Sequence, residues 1–176
     1  AWEQGAGHIQ DNHTSGLACD WWGGRWREDL DRAAAAGQNA HRLSIEWSRV
    51  QPAPDRWDED ALDRYIEILR GLSERKMTPL VTLHHFTDPL WLAELGGWGN
   101  EKVVEYFNTY VGKVVEALRD YVNLWVTINE PNVLYISAYL MGIWPPGEQS
   151  LQASFQVMTN LVRAHAVAYH TIHRIQ

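Results

Sequence analysis

The spacing of apolar residues changes repeatedly along the chain and divides it into predicted helices and strands. Four segments place apolar residues every three or four positions, which predicts helices with one buried side: 24–36, 58–75, 100–118 and 150–176. Three shorter segments are apolar throughout or alternate between apolar and polar residues, which is typical of β-strands: 40–47, 80–83 and 124–128. The predicted order is a helix followed by three strand–helix pairs.

Polar residues and a glycine mark the predicted ends of the helices. Asp58, Asn100 and Ser150 can each cap a first turn, and Gly37 is a favourable stop for the first helix. A long loop is predicted after Glu130. The residues expected on the buried side of the last helix are Leu151, Phe155, Met158, Val162, Tyr169 and Ile172.

Alternating strands and helices favour a parallel sheet with helical crossovers. Arg42, His85 and Glu130 each lie on or just beyond a predicted strand, 43 and 45 residues apart. A (β/α)8 barrel gathers its active site at the C-terminal ends of its strands. We therefore predict an α/β fold, a partial TIM (β/α)8 barrel with three strands and four helices, as a single partial domain over residues 1–176. An open doubly wound sheet is the alternative, because the local pattern does not determine whether a sheet closes.

The net charge of the chain argues against some classes of binding partner. The chain has 15 Lys and Arg against 22 Asp and Glu, a formal net charge of −7. An acidic chain without a basic stripe argues against nucleic acid and against an anionic membrane surface. No apolar run approaches the roughly 20 residues that a membrane span needs. The single Cys19 cannot form an internal disulfide, and no signal segment is visible, so we expect a cytoplasmic location.

The stretch from Thr127 to Pro131 holds the leading candidate for catalysis. Glu130 follows a buried strand, where a carboxylate costs free energy unless it has a partner or a function. Pro131 disfavours a helical conformation for the residue before it, so we expect Glu130 to be extended. Asn129 adds an amide donor and an acceptor beside the carboxylate. An ordinary loop glutamate before a proline is the alternative interpretation.

Two histidines and an arginine accompany the other two strands. His84 and His85 are adjacent, so their side chains point to opposite sides of an extended chain and are poorly placed to chelate one ion. We therefore predict no metal site and no cofactor, and one packed and one solvated histidine is the plain interpretation. Arg42 lies within a strand and needs an anionic partner. That partner is either Glu46 on the same face or a catalytic carboxylate from another strand.

Three segments resemble glycoside hydrolase family 1, the β-glucosidase and β-galactosidase family. HRLSIEWSR (41–49) is similar to its second barrel strand, TLHHF (82–86) to its third strand, and TINEP (127–131) to its acid/base signature on strand four. The resemblance implies a retaining β-glycosidase acting on a β-linked glycoside or oligosaccharide. It also identifies the predicted strands as strands 2–4, with the first strand and strands 5–8 outside the chain.

The resemblance further implies roles for single residues. Glu130 would be the general acid/base, Asn129 and His85 would bind sugar hydroxyls, and Arg42 would orient the nucleophilic carboxylate. The family's nucleophile, a glutamate in a Glu-Asn-Gly context, has no counterpart here, so we expect the isolated 176-residue chain to be inactive. Phe86 stands where many relatives have a tryptophan, and it lacks the indole N–H donor.

Two other functional classes remain open on sequence grounds. A non-catalytic carbohydrate-binding module would suit the ten tryptophans, whose flat rings match the apolar face of a sugar, and would also suit Asn129. A metal-dependent barrel hydrolase is supported only by the adjacent His84 and His85.

Overall fold

The computed structural model describes Ile9, Asp11 and residues 19–176. Its four long helices are α1 (Trp26–Ala35), α3 (Glu59–Glu74), α5 (Val103–Leu118) and α7 (Leu151–Ile175). Its strands are β1 (Ala40–Ser44), β2 (Thr78–His84) and β3 (Leu124–Ile128). Three short helices lie after the strands: α2 (Trp47–Val50), α4 (Leu90–Glu94) and α6 (Pro131–Tyr135). The segments Gly97–Gly99 and Ile136–Leu140 are single turns of 3₁₀ and π-helix.

The three strands form one parallel sheet in the order β1-β2-β3, as the alternation of strands and helices predicts. Arg42 lies opposite Leu80, and Thr82 lies opposite Val126. Because side chains alternate along a strand, these four residues share one face of the sheet. The other face carries Val81, which is fully buried beneath the helices. The long helices therefore cover one face, and the strand ends remain open to build a site.

Aromatic side chains of α2 and α5 fill the centre of the covered core. Trp47 stacks on Tyr110 with ring centroids 4.8 Å apart, and Trp98 and Phe107 pack beside them. The predicted apolar side of α5 is confirmed, since each of its members is fully buried: Val103, Phe107, Tyr110, Val114 and Leu118. This core fixes the positions of β1 and β2 from below.

Two of the three predicted helix caps are confirmed. Asp58 and Ser150 each accept a hydrogen bond from the backbone amide three residues further along. Asn100 accepts instead from the amide of Lys102 at 3.0 Å, and α5 begins only at Val103. Asn100 thus stabilises the turn that leads into the helix.

The prediction for the buried side of α7 is wrong in four positions. These residues are at least half exposed: Leu151 (62%), Phe155 (56%), Val162 (63%) and Tyr169 (50%). The buried side consists mostly of smaller residues: Ser154, Val157, Asn160, Leu161, Ala164, Ala168, Thr171 and the correctly predicted Ile172. Small residues let α7 pack closely against α5, where Gly112 faces Thr171. The helix therefore has two apolar stripes, and large size did not indicate the buried one.

No helix in the described part of the chain combines the length and the apolar character that a membrane crossing requires.

Candidate functional site

Arg42 connects all three strands near their C-terminal ends. Its Nε donates to Thr82 Oγ1 at 2.8 Å, and its Nη2 donates to Asn129 Oδ1 at 2.6 Å. The C-terminal ends of parallel strands meet at one edge of a sheet, so residues distant in sequence are brought together there. Arg42 and Asn129, 87 residues apart in sequence, are thus in direct contact.

The alternative partner proposed for Arg42, Glu46, is not its partner. The Glu46 carboxylate accepts hydrogen bonds from the Ser48 and Thr87 hydroxyls at 2.9–3.0 Å. Strand β1 ends at Ser44 and α2 begins at Trp47, so Glu46 no longer follows the alternation of the strand. The prediction failed because it extended the strand to residue 47.

His85 lies at the same edge with an exposed ring. Its Nδ1 is 3.0 Å from the Ser44 hydroxyl on β1. Burial lowers the pKa of His85 below its usual value, and the positive charge of Arg42 lowers it further, whereas Glu130 acts in the opposite direction. Arg42 and Glu130 thus act on the His85 ring with opposite signs, and the net lowering of its pKa favours the neutral ring.

His84 points away from His85, as expected for neighbours on an extended chain. It is 1% exposed, and its Nε2 lies 3.0 Å from Asp88 Oδ1. Trp98 donates to the same carboxylate oxygen at 3.1 Å. Among the described residues, no group of three His, Cys, Asp or Glu side chains could hold a metal ion.

Glu130 differs from its predicted environment in two respects. Its side chain is exposed, so the cost of burying a carboxylate does not apply to it in this structure. Its backbone is left-handed, with φ 40° and ψ 61°, and not extended. The reason is that Pro131 is the first residue of α6, so Glu130 must turn the chain from β3 into a helix where a loop was predicted.

Asn129 is buried directly before this turn. Its backbone amide donates to the His84 carbonyl at 2.9 Å, which extends the pairing of β2 and β3 by one residue. Its side-chain oxygen is taken by Arg42, so its NH₂ group is left to donate elsewhere. Asn129 and Glu130 therefore both follow the C-terminal end of β3, and the pairing with β2 fixes the position of their backbone.

Phe86 also adopts a left-handed backbone conformation, with φ 71°. Its ring packs edge-on against His85 and against Trp144, each at 5.0 Å between centroids. The aromatic pair Phe86 and Trp144 forms an apolar wall beside His85. The site combines this wall with amide, guanidinium, imidazole and carboxylate groups, which is the composition of a site for a small polar ligand.

A buried tyrosine fixes the backbone beneath the site. The Tyr110 hydroxyl donates to Leu83 O at 2.9 Å and lies 3.3 Å from Ile45 O. Burial raises the pKa of Tyr110 well above its usual value, so it stays protonated as a donor. The ends of β1 and β2 are thereby held by one side chain from α5.

Sequence reasoning missed several members of the site: Ser44, Thr82, Asp88 and Trp144. Ser44 and Thr82 had a usable signal. Ser44 lies two residues after Arg42 on the same face of β1, and Thr82 lies opposite Ser44 on β2. Asp88 and Trp144 had none, because their positions depend on how loops return to the sheet.

Comparison with known proteins agrees with this arrangement. The model of glycosyl hydrolase family 1 matches residues 1–176. Beta-glucosidase A of Thermotoga maritima is 36% identical over 163 residues, covering 92% of this chain and 36% of its own length. Human cytosolic beta-glucosidase is 34% identical over 171 residues, covering 96% of this chain and 36% of its own length. The chain thus spans just over a third of the length of these relatives.

Solved structures extend the similarity to the fold. The family 1 b-glucosidase from Thermotoga maritima superposes with a TM-score of 0.94 at 34% identity, over 98% of this chain and 39% of that one. The beta-glycosidase from Pyrococcus horikoshii superposes with a TM-score of 0.85 at 43% identity, over 88% of this chain and 36% of that one. The prediction of a partial α/β barrel is confirmed. This chain, with these residues gathered at its strand ends, belongs to glycosyl hydrolase family 1.

Proposed function

We propose that this chain is part of a retaining β-glycosidase, a partial domain that supplies strands 2–4 of a complete barrel. One observation carries the proposal: Arg42, His85, Asn129 and Glu130 meet at the C-terminal edge of a parallel sheet. That edge holds the active site in (β/α)8 enzymes. Relatives over a third identical in sequence are named beta-glucosidases, which supports the same chemistry here.

Glu130 is the proposed general acid/base. In the first step, a carboxylate nucleophile attacks the anomeric carbon while Glu130 gives its proton to the glycosidic oxygen, so that bond breaks and an alcohol leaves. In the second step, the Glu130 carboxylate takes a proton from water, whose oxygen attacks the glycosyl–enzyme and frees the nucleophile. The exposed position of Glu130 leaves its carboxyl group accessible to substrate.

The neighbouring side chains suit sugar binding. The neutral His85 ring keeps one nitrogen on Ser44 and can donate to a sugar hydroxyl with the other. Asn129 can donate its NH₂ group while its oxygen remains on Arg42. A guanidinium has five N–H donors, and those not bonded to Thr82 or Asn129 suit a carboxylate from another strand.

The isolated 176-residue chain is proposed to be inactive. Retaining enzymes place their two carboxyl groups about 5–5.5 Å apart. Glu46 is a second carboxylate near this edge, but its oxygens are engaged by Ser48 and Thr87. The Glu-Asn-Gly motif that carries the family's nucleophile does not occur in residues 1–176, so the nucleophile is assigned to a segment outside them.

The test uses a version of the protein that spans the full length of its relatives. We expect it to hydrolyse an aryl β-glucoside and release the β-anomer first, as proton NMR of the fresh product shows. Glu130→Gln should lower kcat by about 10²–10⁴-fold, the usual contribution of a general acid. The control is Glu94→Gln, an exposed glutamate of α4, which should leave kcat unchanged. Release of the α-anomer, or full activity of Glu130→Gln, would refute the proposal.

The same preparation separates the alternatives. Binding of a β-glucoside without turnover would favour a non-catalytic carbohydrate-binding module. Loss of activity with EDTA and its return with a divalent ion would favour a metal-dependent hydrolase.

A glucose-shaped inhibitor is the proposed ligand for direct binding measurements. The Thermotoga maritima b-glucosidase has been solved with isofagomine lactam, glucoimidazole and deoxynojirimycin. We expect the full-length version to bind deoxynojirimycin in calorimetry and Asn129→Ala to bind it more weakly. A cytoplasmic location is part of the proposal, supported by the cytosolic human relative, and cell fractionation would test it.

A further inference from the structure

We infer that Asp88 is a positioning residue for His85. In this role its carboxylate binds His84 and Trp98, and so fixes the turn of residues 84–88 that presents the His85 ring to the sugar. The inference rests on the proposed function, because it assigns His85 to substrate binding. Asp88 itself touches no substrate in this assignment.

The contacts of Asp88 form a closed unit behind the turn. Asp88 Oδ1 accepts from Trp98 Nε1 at 3.1 Å and lies 3.0 Å from His84 Nε2. His84 has no exposed side-chain surface, and its ring packs edge-on against Trp98 at 5.0 Å. Hydrogen bonds to a carboxylate are stronger than those between neutral groups, so the two contacts hold the Asp88 side chain in place.

The orientation of the His84 ring agrees with this unit. Its Nδ1 is buried and has no hydrogen-bond partner among the described residues. A buried N–H without an acceptor is costly, so the proton is assigned to Nε2, which donates to Asp88. The contact with Asp88 is thus the one hydrogen bond that the described structure gives to the His84 side chain.

The turn needs such a restraint because its backbone is unfavourable. Phe86 lies midway between His84 and Asp88 and has φ 71°, a region that bulky side chains rarely occupy. A residue in that region persists only when its surroundings hold it. The bond between His84 and Asp88 joins the two ends of the turn across Phe86.

Thr87 and His85 make further contacts that hold the turn against β1 and the residues after it. Thr87 donates to the Glu46 carboxylate at 2.9–3.0 Å, and the His85 ring contacts Ser44 at 3.0 Å. Both of these contacts are solvent-exposed, whereas the Asp88 contacts are partly buried. Exposed hydrogen bonds compete with water, so the buried unit around Asp88 provides the firmer anchor.

A purely structural role for Asp88 predicts a different kinetic result. If Asp88 contributed only to stability, its loss would reduce the amount of folded enzyme and lower the apparent kcat while KM stayed constant. Displacement of His85 weakens contacts with the sugar in the folded enzyme, so KM rises. The change in KM, compared with the change in apparent kcat, therefore distinguishes a positioning role of Asp88 from a purely structural one.

The experiment compares Asp88→Ala, Asp88→Asn and the control Glu94→Ala in the version that spans the full length of the relatives. With an aryl β-glucoside, Asp88→Ala should raise KM and lower kcat/KM, by up to about 100-fold for a displacement near 1 Å. Asp88→Asn keeps an oxygen acceptor for both donors and should recover most of the loss. Glu94→Ala should match the parent protein. An unchanged KM in Asp88→Ala overturns the inference.

Crystal structures of the same variants make the outcome independent of activity. In Asp88→Ala, the distance from His85 Nδ1 to Ser44 Oγ should exceed the 3.0 Å of the parent, and in Asp88→Asn it should not. Because Asn preserves the acceptor, Asp88→Asn also serves if Asp88→Ala does not fold. A His85 ring in its parent position in Asp88→Ala refutes positioning even if the parent protein hydrolyses no glycoside. An inactive parent with a displaced ring refutes only the proposed function.

Discussion

The pKa of His85 depends on two charged residues near its ring, Arg42 and Glu130. Burial is the largest cause of its lowered pKa, Arg42 adds to it, and Glu130 opposes it. A change at either neighbour should therefore shift the titration of His85 in a known direction.

We expect Arg42→Leu to raise the pKa of His85 toward the ordinary value of 6.5, because a repelling positive charge is removed. Glu130→Gln should lower it further, because an attractive negative charge is removed. NMR titration of the His85 ring in the full-length version measures both shifts, with Arg56→Leu, an exposed loop residue, as control. Shifts of the same sign in the two variants would contradict this charge arrangement.

The same pKa sets how stability responds to acid. The folded pKa of His85 lies below its unfolded value of 6.5, so on acidification the unfolded chain binds the proton first. The contribution of His85 to stability is therefore complete above pH 6.5 and is lost as the pH falls through the folded pKa. Solvent screening keeps this contribution small because the ring is exposed.

At the scale of residues, sequence identified which groups meet but not how they are held. Arg42, His85, Asn129 and Glu130 could be selected because each lies on or just beyond a strand, within a segment that resembles the family. The left-handed backbone of Glu130 could not be predicted from the rule for residues before proline, because the helix starting at Pro131 decides it. The sequence pattern could not identify Asp88, because its contact with Trp98 depends on a loop conformation.

At the scale of elements, two helix glycines that look alike in sequence have different surroundings. Gly71 in α3 lies under the Trp26 ring, and an added Cβ would overlap that ring. Gly112 in α5 has room for a methyl group, because an added Cβ would make an ordinary van der Waals contact with Thr171 at 3.8 Å. Helix α1 can therefore pack this close to α3 only because Gly71 has no Cβ.

We expect Gly71→Ala to destabilise the full-length version by about 1–3 kcal/mol, the usual cost of overpacking a core. Gly112→Ala should instead stabilise it by about 0.5–1 kcal/mol, because alanine favours the helix interior. Melting temperatures of the two variants and the parent test both signs. A lower melting temperature for Gly112→Ala would show that α5 and α7 pack more tightly than described.

The two long helices of the second half show where pattern analysis succeeds and where it fails. The buried side of α5 was predicted because that helix has one apolar stripe. Helix α7 has a second, larger stripe that includes Phe155 and Val162, and nothing in its sequence tells which stripe faces α5. Only the packing of small residues against α5 decides the matter.

At the scale of the whole molecule, the described sheet has two edges that are not paired with a further described strand. Strands β1 and β3 each pair only with β2. A groove of about 830 Å³ runs between β3 and α7, and Leu124 within it is 50% exposed. Open edges and exposed apolar side chains favour association between chains.

Residues 1–176 expressed alone are therefore expected to aggregate or to remain loosely packed. Size-exclusion chromatography and near-UV circular dichroism should show large species or weak tertiary signals, whereas the full-length version should elute as a defined species. A sharp cooperative thermal transition of monomeric 1–176 would contradict this expectation.

The backbone at Phe86 and Glu130 also has an evolutionary consequence. Both residues occupy left-handed conformations that glycine adopts more readily. In a mutant library selected only for heat resistance, glycine should accumulate at position 130, whose side chain is exposed. Phe86 should persist, because its ring packs against His85 and Trp144. Selection for hydrolysis should retain Glu130, so the residue at position 130 would record which of the two pressures acted on a lineage.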